Sequence, residues 1–379
     1  MHTVWETMRK RLRIAVSVVA LVATVSGLAG CQGSDDASAG SGDADGELKR
    51  IILLTNGNSP FWDACRHGLQ QAEKDLKLQE AGLRAVMEVN DGTPAGQINK
   101  LRQFNTQSDI AAVAVSALDA DNEAVAQEMR NLQEKGVHVI CVDNDVNRER
   151  LRDARSFYIG TDNVEGGHAL ATATRVLLKA KGVESGGYVQ FVGTTGAFNA
   201  RARMDGFQEA IGKEYVERDR MGTWDASTSR ENVRNAIRNH ADLVALVGIY
   251  SFNAPAIVDV VTQDNVRDDY VVACFDAEPI AVSQMGKGHI DVLVVQNPYD
   301  MGYQCVRALK ALHEDSQETL DEMFPNREEE GGDIYDTGLK LVVPDESSPL
   351  NAEMFDEKTQ FLTLPEFQAW LDKFGLKGS

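Results

Sequence analysis

Residues 51–76 have the sequence IILLTNGNSPFWDACRHGLQQAEKDL, in which an apolar run, a polar loop and an amphipathic stretch follow one another. The run 51–55 is continuous rather than alternating, which is typical of a parallel strand covered on both faces. The stretch 61–76 mixes apolar and charged positions over a length typical of a helix. The segment therefore predicts one strand–loop–helix unit.

The same unit recurs along the chain. Further apolar runs occur at 83–89, 110–116, 137–142, 188–192, 243–247, 271–275 and 292–295. Helix-like stretches alternate with them at 95–107, 122–135, 164–178, 203–211, 230–239 and 256–263. This alternation predicts an α/β fold with two doubly wound parallel sheets, and a length of 379 residues suffices for two domains.

The composition is that of an ordinary globular protein, with 43% hydrophobic and 25% charged residues. It excludes a disordered chain, a collagen-like repeat and a small disulfide-stapled fold. The formal net charge of −20 argues against a nucleic-acid partner, because phosphate binding needs a basic surface. The five cysteines lack the paired spacing of a structural zinc site, and we expect neither a metal nor a cofactor.

The first thirty residues have the features of an export signal. A basic cluster precedes a mostly apolar stretch that ends in LAGC at 28–31, a tetrapeptide that resembles the lipobox of bacterial lipoproteins. We therefore expect residues 1–30 to be a signal peptide, Cys31 to carry lipid and residues 31–47 to be a flexible tether. The protein would then be exported and held at a membrane, in the periplasm or at the cell surface. An uncleaved anchor is the alternative, although the apolar stretch is short for a span of about 20 residues.

Polar residues follow five of the apolar runs, where a parallel sheet has its binding crevice. They occupy 56–62, 143–145, 161–163 (after a short run at 157–160), position 276 and 296–298. Exposed loops are polar as well, and Asp162 could simply cap the helix that follows it. Five such segments at strand ends favour a binding site over five unrelated turns.

The side chains in these segments suit a sugar. Aspartate accepts hydroxyl protons, asparagine and glutamine both donate and accept, and arginine donates two bonds in one plane. Aromatic faces pack against the C–H patches of a sugar ring. The set lacks the cation cluster that phosphate needs and the carboxylate cage that Ca²⁺ needs. A neutral polyol fits it best.

Six segments together resemble the type I periplasmic sugar-binding proteins of ABC transporters, and the ribose-binding group in particular. They are IILLTNGNSPFWDACRHGLQQA, VICVDND, YIGTDNVEGG, FNARARMDGFQEA, ACFDAEP and VVQNPYDMG, and the resemblance extends over about residues 49–343. It implies two similar lobes, joined at a hinge, that close over one monosaccharide. The first lobe would comprise 48–161 and 297–337, and the second 162–296 and 338–345.

The resemblance also implies a role and a binding site. A monomeric solute-binding lipoprotein without enzymatic activity would deliver a ribose-like pentose or a hexose to an ABC transporter permease. Phe61, Trp62 and Trp224 would form aromatic walls, while polar side chains would clamp the hydroxyls, with Thr55 as a further candidate. Carried over by position, the ligand-binding residues are Ser59, Phe61, Trp62, Asp143, Asn144, Asn163, Arg203, Trp224, Tyr250, Asp276 and Gln296.

Two positions depart from the family pattern. Asn144 stands where ribose binders have an arginine after the first-lobe aspartate, and Tyr250 lies near the place of an asparagine. Loss of a planar five-donor group and gain of a phenol should change which hydroxyls are recognised. The sequence therefore indicates a pentose or a hexose without choosing ribose.

Several alternatives stay open at this point. A sugar-sensing subunit of a chemoreceptor or histidine kinase would need the same pocket, whereas a lactose-type repressor core would not carry an export signal. Asp143 and Asp276 could form a glycosidase pair, but the resemblance assigns them to hydroxyl binding. Trp224 could pack on a surface loop, and Arg203 could pair with Asp205.

Two features outside the pocket are also undecided. Cys65 and Cys305 could form a disulfide in an exported protein, although spacing alone does not establish one. The C-terminal extension 346–379 goes beyond the family pattern and contains a short amphipathic helix at 365–374. This helix could dock on a lobe or meet a partner.

Overall fold

A computed structural model describes residues 48–379 of the protein. The expected signal peptide, Cys31 and the tether lie outside these residues. The strands are β1 (Lys49–Leu54), β2 (Leu83–Glu88), β3 (Ile110–Val115), β4 (His138–Val142), β5 (Tyr158–Gly160), β6 (Gly186–Val192), β7 (Tyr215–Gly222), β8 (Leu243–Gly248), β9 (Val271–Phe275), β10 (Val292–Val295), β11 (Ile334–Asp336), β12 (Leu339–Val343) and β13 (Thr359–Thr363). The helices are α1 (Phe61–Asp75), α2 (Pro94–Phe104), α3 (Glu123–Glu134), α4 (Asn163–Ala180), α5 (Phe198–Ala210), α6 (Ala226–Asn239), α7 (Asn253–Gln263), α8 (Pro279–Met285), α9 (Pro298–His313), α10 (Gln317–Met323) and α11 (Leu364–Lys373).

The strands form two sheets. The first has the order β11-β5-β4-β3-β1-β2, and the second has the order β13-β12-β10-β9-β8-β6-β7. Every neighbouring pair is parallel except β10 with β12. The structure thus confirms the α/β class with two doubly wound sheets, and each sheet with its covering helices is called a lobe below.

Helices cover both faces of each sheet, which explains the continuous apolar runs. In β1, Ile51 and Leu53 pack into a core on one face, while Ile52 and Leu54 pack into a core on the other. All four side chains are at most 1% exposed. A strand covered on both faces has no position at which a polar side chain reaches water, so its sequence does not alternate.

Several elements lie outside the predicted runs. β7 pairs only with β6 at a sheet edge, and most of its residues are partly or fully exposed, so it carries four charged residues. β11 has three residues, and β12 is interrupted by the buried Lys340. The short helices α8 and α10 and the longer α9 were also not predicted. α9 and α10 follow the last predicted apolar run, whereas α8 is a helix of only seven residues between the predicted runs 271–275 and 292–295.

The C-terminal extension is part of the second lobe. β13 runs parallel to β12 at the edge of the second sheet. α11 buries Phe367 and Leu371 in the core that also contains Leu293 and Val295 of β10. Of the two alternatives that the sequence left open, docking on a lobe is therefore the one observed.

Helices α1 and α9 pack closely against each other. The chain crosses between the sheets after β5, β10 and β11, and after the second crossing α9 packs against α1. A Cβ atom at Gly302 of α9 would lie 2.0 Å from the carbonyl oxygen of Cys65, and one at Gly68 of α1 would lie 1.8 Å from that of Tyr299. Only glycine permits so close an approach of two helix backbones.

Two further observations bear on the sequence-based expectations. Cys65 and Cys305 are both buried and free, as are Cys141 and Cys274. Between residues 48 and 379, none of the helices combines the length and the apolar character needed to cross a membrane.

Candidate functional site

The loop after β1 presents two aromatic rings. Thr55 donates its hydroxyl to the carbonyl oxygen of Gly57 at 2.8 Å and accepts the backbone N–H of Asn90 at 3.1 Å, which holds the loop 56–60 in place. α1 then begins with Phe61 and Trp62, whose ring centroids lie 5.1 Å apart in an edge-to-face arrangement. Both side chains are nearly buried, at 6% and 3% exposure.

Two aspartates face the same space from opposite lobes. Asp143 follows β4 and accepts the hydroxyl of Ser116 at 3.1 Å, and Asp276 follows β9 and accepts the amide of Gln296 at 2.9 Å. Burial raises the pKa of Asp143 to about 6, against the lowering effect of Arg203. Burial likewise raises the pKa of Asp276, with Arg203 again opposing the shift. An ionised carboxylate offers about four acceptor positions, so both aspartates can accept further hydrogen bonds.

Arg203 on α5 lies close to both carboxylates. Its Nε donates to Oδ1 of Asn163 at 2.8 Å and its Nη1 to the carbonyl oxygen of Ile249 at 3.2 Å. The guanidinium also lies 4.6 Å from the ring centre of Phe275. Nη2 is buried without a hydrogen-bond partner. Since Arg203 bonds to Asn163 rather than to Asp205, it belongs to the site and not to a surface ion pair.

The second lobe contributes an aromatic cluster. The ring centroid of Trp224 lies 5.6 Å from that of Tyr250 and 5.3 Å from that of Phe252. The phenol of Tyr250 donates to Oδ1 of Asn199 at 2.7 Å, and burial raises its pKa. Trp224 is 43% exposed, so it lies at the rim of the site rather than at its centre.

These groups line one cavity between the two lobes. Nine of the eleven sequence-predicted residues are among its lining residues, and Asn144 and Asn163 are not. The full lining is Asn56, Gly57, Asn58, Ser59, Phe61, Trp62, Asp143, Asn199, Arg203, Trp224, Tyr250, Ser251, Phe252, Asp276 and Gln296.

The two predicted residues outside the lining support it from behind. Asn163 holds Arg203, as described above. Asn144 is fully buried and donates its amide to the carbonyl oxygen of Ala117. Its Oδ1 accepts the backbone N–H of Asn199 at 3.1 Å, which joins the first lobe to the start of α5 in the second. Asn144 therefore connects the lobes instead of reaching the cavity.

Six lining residues were not predicted from the sequence. Asn199 lies four residues before Arg203 on α5, a spacing that places both side chains on one helix face and could have identified it. Ser251 and Phe252 directly follow Tyr250. The remaining three, at 56–58, belong to the loop after β1. They follow a strand end, as the sequence predicts, but nothing in the sequence distinguishes them from ordinary turn residues.

The cavity combines acceptors, donors and apolar faces. Of the described residues that line it, Arg203 is the one cation, against two buried carboxylates. Oε1 of Gln296, like Nη2 of Arg203, is buried without a partner. Buried polar groups are usually satisfied, so these atoms are available to a polar ligand. The described residues contain no cluster of three or more His, Cys, Asp or Glu that could hold a metal ion.

Comparison with known proteins gives a family for this arrangement. Residues 51–317 match the family model described as periplasmic binding protein domain. No curated protein sequence matches the chain significantly. The comparison with solved structures, in contrast, gives matches that cover most of the chain.

Three solved structures illustrate these matches. A solute-binding protein of an ABC transporter from Burkholderia graminis, in complex with D-arabinose, is 21% identical, with a TM-score of 0.67 over 81% of this chain and 99% of its own. A carbohydrate transporter solute-binding protein from Agrobacterium radiobacter, also with D-arabinose, is 22% identical, with a TM-score of 0.66 over 83% and 100%. A periplasmic solute-binding protein from Actinobacillus succinogenes, with D-allose, is 16% identical, with a TM-score of 0.66 over 79% and 99%. At these identities the likeness establishes the fold.

Proposed function

The chain belongs to the periplasmic binding protein family, a family of binding proteins rather than enzymes, and on this premise we propose that it binds one monosaccharide between its two lobes. The ligand is a pentose or a hexose. The lobes are 48–161 with 297–337 and 162–296 with 338–345, and the extension 346–379 is added to the second. The sugar-bound proteins of the same fold, with D-arabinose and D-allose, support this class of ligand.

The observation that carries the proposal is the pair of buried carboxylates that face one cavity from opposite lobes. Asp143 and Asp276 are 4% and 3% exposed, and the charge of Arg203 partly offsets the rise in pKa that burial causes at both. A polyol satisfies such a set because each hydroxyl donates to a carboxylate and accepts from the guanidinium or an amide. Ligand contacts to both lobes favour the closed form.

The composition of the cavity also bears on which sugar is bound. No arginine follows Asp143, and the phenol of Tyr250 is already bonded to Asn199. A sugar hydroxyl that the arginine of ribose binders would bind must therefore be bound by other groups in this protein. The rings of Phe61, Trp62 and Trp224 offer faces for the C–H side of a sugar ring.

We further propose that the protein is an exported, monomeric lipoprotein that delivers its sugar to an ABC transporter permease. Cys31 carries the lipid, and residues 31–47 tether the binding domain to the membrane, in the periplasm or at the cell surface. Labelling with a radioactive fatty acid should mark the wild type and not Cys31→Ser. Crosslinking in native membranes should recover a permease, whereas recovery of a chemoreceptor or histidine kinase would favour the sensor alternative.

A thermal-shift screen tests the sugar assignment. The full chain, solubilised in detergent, is heated with D-arabinose, D-allose, D-tagatose, D-glucose and D-galactose, and with nucleosides and amino acids as other ligand classes. A ligand that binds only the folded state raises the melting temperature through mass action. We expect a selective increase with one pentose or hexose. An increase with a nucleoside or an amino acid and with no sugar would refute the assignment.

A further inference from the structure

The last residues of the chain return from α11 to the ligand cavity. Residues 375–379, called the C-terminal tail here, begin at Gly375, which has φ of 67° and ends the helix. The next residue, Leu376, donates its N–H to the carbonyl oxygen of Leu371 at 2.9 Å. Its side chain is 6% exposed and packs in the core of the second lobe. The tail therefore starts from a fixed point.

The tail ends beside the ligand-binding aspartate of the second lobe. Ala277 donates its N–H to the carbonyl oxygen of Ser379 at 2.6 Å, and Ser379 donates its N–H back to the carbonyl oxygen of Ala277 at 2.9 Å. The hydroxyl of Ser379 lies 3.3 Å from the carbonyl oxygen of Gln296. Ser379 is 2% exposed, so these bonds are shielded from water.

Gly378 lets the two backbones approach. A Cβ atom at this position would lie 2.5 Å from the carbonyl oxygen of Ala277 and 2.7 Å from Cδ of Pro279. Neither atom belongs to a flexible side chain that could move aside. Any other residue would push the tail away from the turn after β9.

The tail contacts two neighbouring strand ends, and each of them carries a cavity residue. Asp276 has φ of 64°, a conformation that costs free energy in a residue other than glycine and persists where the surroundings impose it. Its carboxylate is bonded by Gln296, whose carbonyl faces the tail. The tail thus contacts the backbone next to Asp276 and at Gln296 without lining the cavity itself.

We propose that the C-terminal tail positions Asp276 and Gln296, so that the docked C-terminal segment sets the affinity of the sugar site. The inference rests on the proposed function, because it assigns the tail a role in that site. The tail acts through these two residues and does not touch the sugar. It also borders a cleft that Phe61 and Ala64 of α1 line from the other side, which places it where the two lobes meet.

Two variants are designed to remove the paired backbone hydrogen bonds between Ser379 and Ala277, and a third is designed to keep them. Gly378→Val and a deletion of residues 377–379 abolish the bonds to Ala277, whereas Lys377→Ala changes only an exposed side chain. Affinity and dissociation rate are measured by calorimetry and stopped-flow fluorescence, with whichever of D-arabinose, D-allose or D-tagatose binds the wild type. Loss of two backbone hydrogen bonds predicts an affinity about tenfold lower, mainly through faster dissociation. Lys377→Ala should match the wild type within about twofold.

Amide hydrogen exchange in the unliganded full chain gives a second readout. We expect faster exchange at Ala277 and at Asp276 in the deletion variant than in Lys377→Ala. Wild-type affinity in both tail variants, or unchanged exchange at the turn, would overturn the positioning role. If the wild type binds no sugar, the proposed function fails instead, and the exchange measurement alone decides whether the tail holds the turn.

Discussion

Asp143 and Asp276 occupy equivalent positions in the two lobes. Each is the first residue after a central strand, with φ of 61° and 64°, respectively. Asp143 donates its N–H to the carbonyl oxygen of Ile159 at 3.0 Å, and Asp276 does the same to that of Val294 at 2.8 Å. The left-handed conformation turns each side chain into the cavity, and the pair faces the cavity from both lobes.

The charge of each aspartate should matter to binding more than to folding. Asn is isosteric with Asp and tolerates the left-handed conformation, so Asp143→Asn and Asp276→Asn keep the turn. Each should weaken sugar binding by about 1.5–3 kcal/mol, the value of a charge-assisted hydrogen bond, without lowering the melting temperature of the unliganded protein. Calorimetry and thermal melts check this, with the exposed Asp205→Asn as control. Unchanged affinity in both variants would contradict the assigned site.

The raised pKa of Asp143 predicts a pH-dependent contribution to stability. The carboxyl titrates near 6 in the folded protein and near its ordinary value of about 3.9 in the unfolded chain. The folded state therefore binds the proton more tightly, so this contribution is complete below about pH 4 and is lost as pH rises through 6. From pH 5 to pH 7 the wild type should lose about 1 kcal/mol relative to Asp143→Asn, measured by urea unfolding. Parallel pH profiles for the two proteins would contradict the burial of an ionisable Asp143.

The same group should make sugar affinity depend on pH. Sugar hydroxyls that donate to the ionised carboxylate lower its pKa, so binding releases a proton and strengthens as pH rises through 6. A return to the ordinary value in the complex would raise the affinity up to about tenfold between pH 5 and pH 7. Calorimetry in buffers of different ionisation enthalpy measures the released proton. Asp143→Asn should lose both effects; a wild type with constant affinity would argue against a hydroxyl on Asp143.

Arg203 is held by two protein acceptors in an orientation that lysine cannot reproduce. Its Nε and Nη1 are bonded to Asn163 and Ile249, which leaves Nη2 for the ligand. Arg203→Lys should lower the affinity at least about tenfold, and Asn163→Ala should lower it less, since it removes only the orienting bond. Arg175→Lys, on α4 outside the cavity, is the matched control. Equal affinities for Arg203→Lys and the control would remove arginine from the site.

Asn144 should affect how long the lobes stay closed. Its Oδ1 accepts the N–H of Asn199 across the lobes, and without it that N–H at the start of α5 lacks this acceptor. Asn144→Ala should therefore speed sugar dissociation about three- to tenfold and leave association nearly unchanged. Stopped-flow fluorescence measures both rates, with Asn131→Ala on α3 as control. Slower association with unchanged dissociation would place Asn144 outside the closing contact.

The fold was largely predictable because both sheets are buried on both faces. Apolar runs such as 51–55 and 271–275 mark central strands, and the residue after each lies at the crevice. Edge strands were not predictable in this way, since β7 is exposed along much of its length and carries charged residues. The place of β13 and α11 on the second sheet depends on long-range packing, which leaves no local pattern.

The site was predictable where a residue lies at a strand end and not where the backbone turns. Asp143 directly follows the predicted strand 137–142, which places it at the crevice, and the sequence predicts its neighbour Asn144 in the same site. The positive φ of Asp143 directs the next side chain toward Ala117, away from the cavity. The partnership between Asn144 and Asn199 joins two lobes, so no spacing within one segment could have revealed it.

A crystal structure of the protein with the sugar that gives the largest thermal shift tests the central claim most directly. The account predicts sugar hydroxyl oxygens at about 2.5–3.0 Å from carboxylate oxygens of both Asp143 and Asp276, with Arg203 Nη2 bonded to the same ring. A sugar that contacts neither carboxylate, or that binds outside the cavity between the lobes, would contradict it.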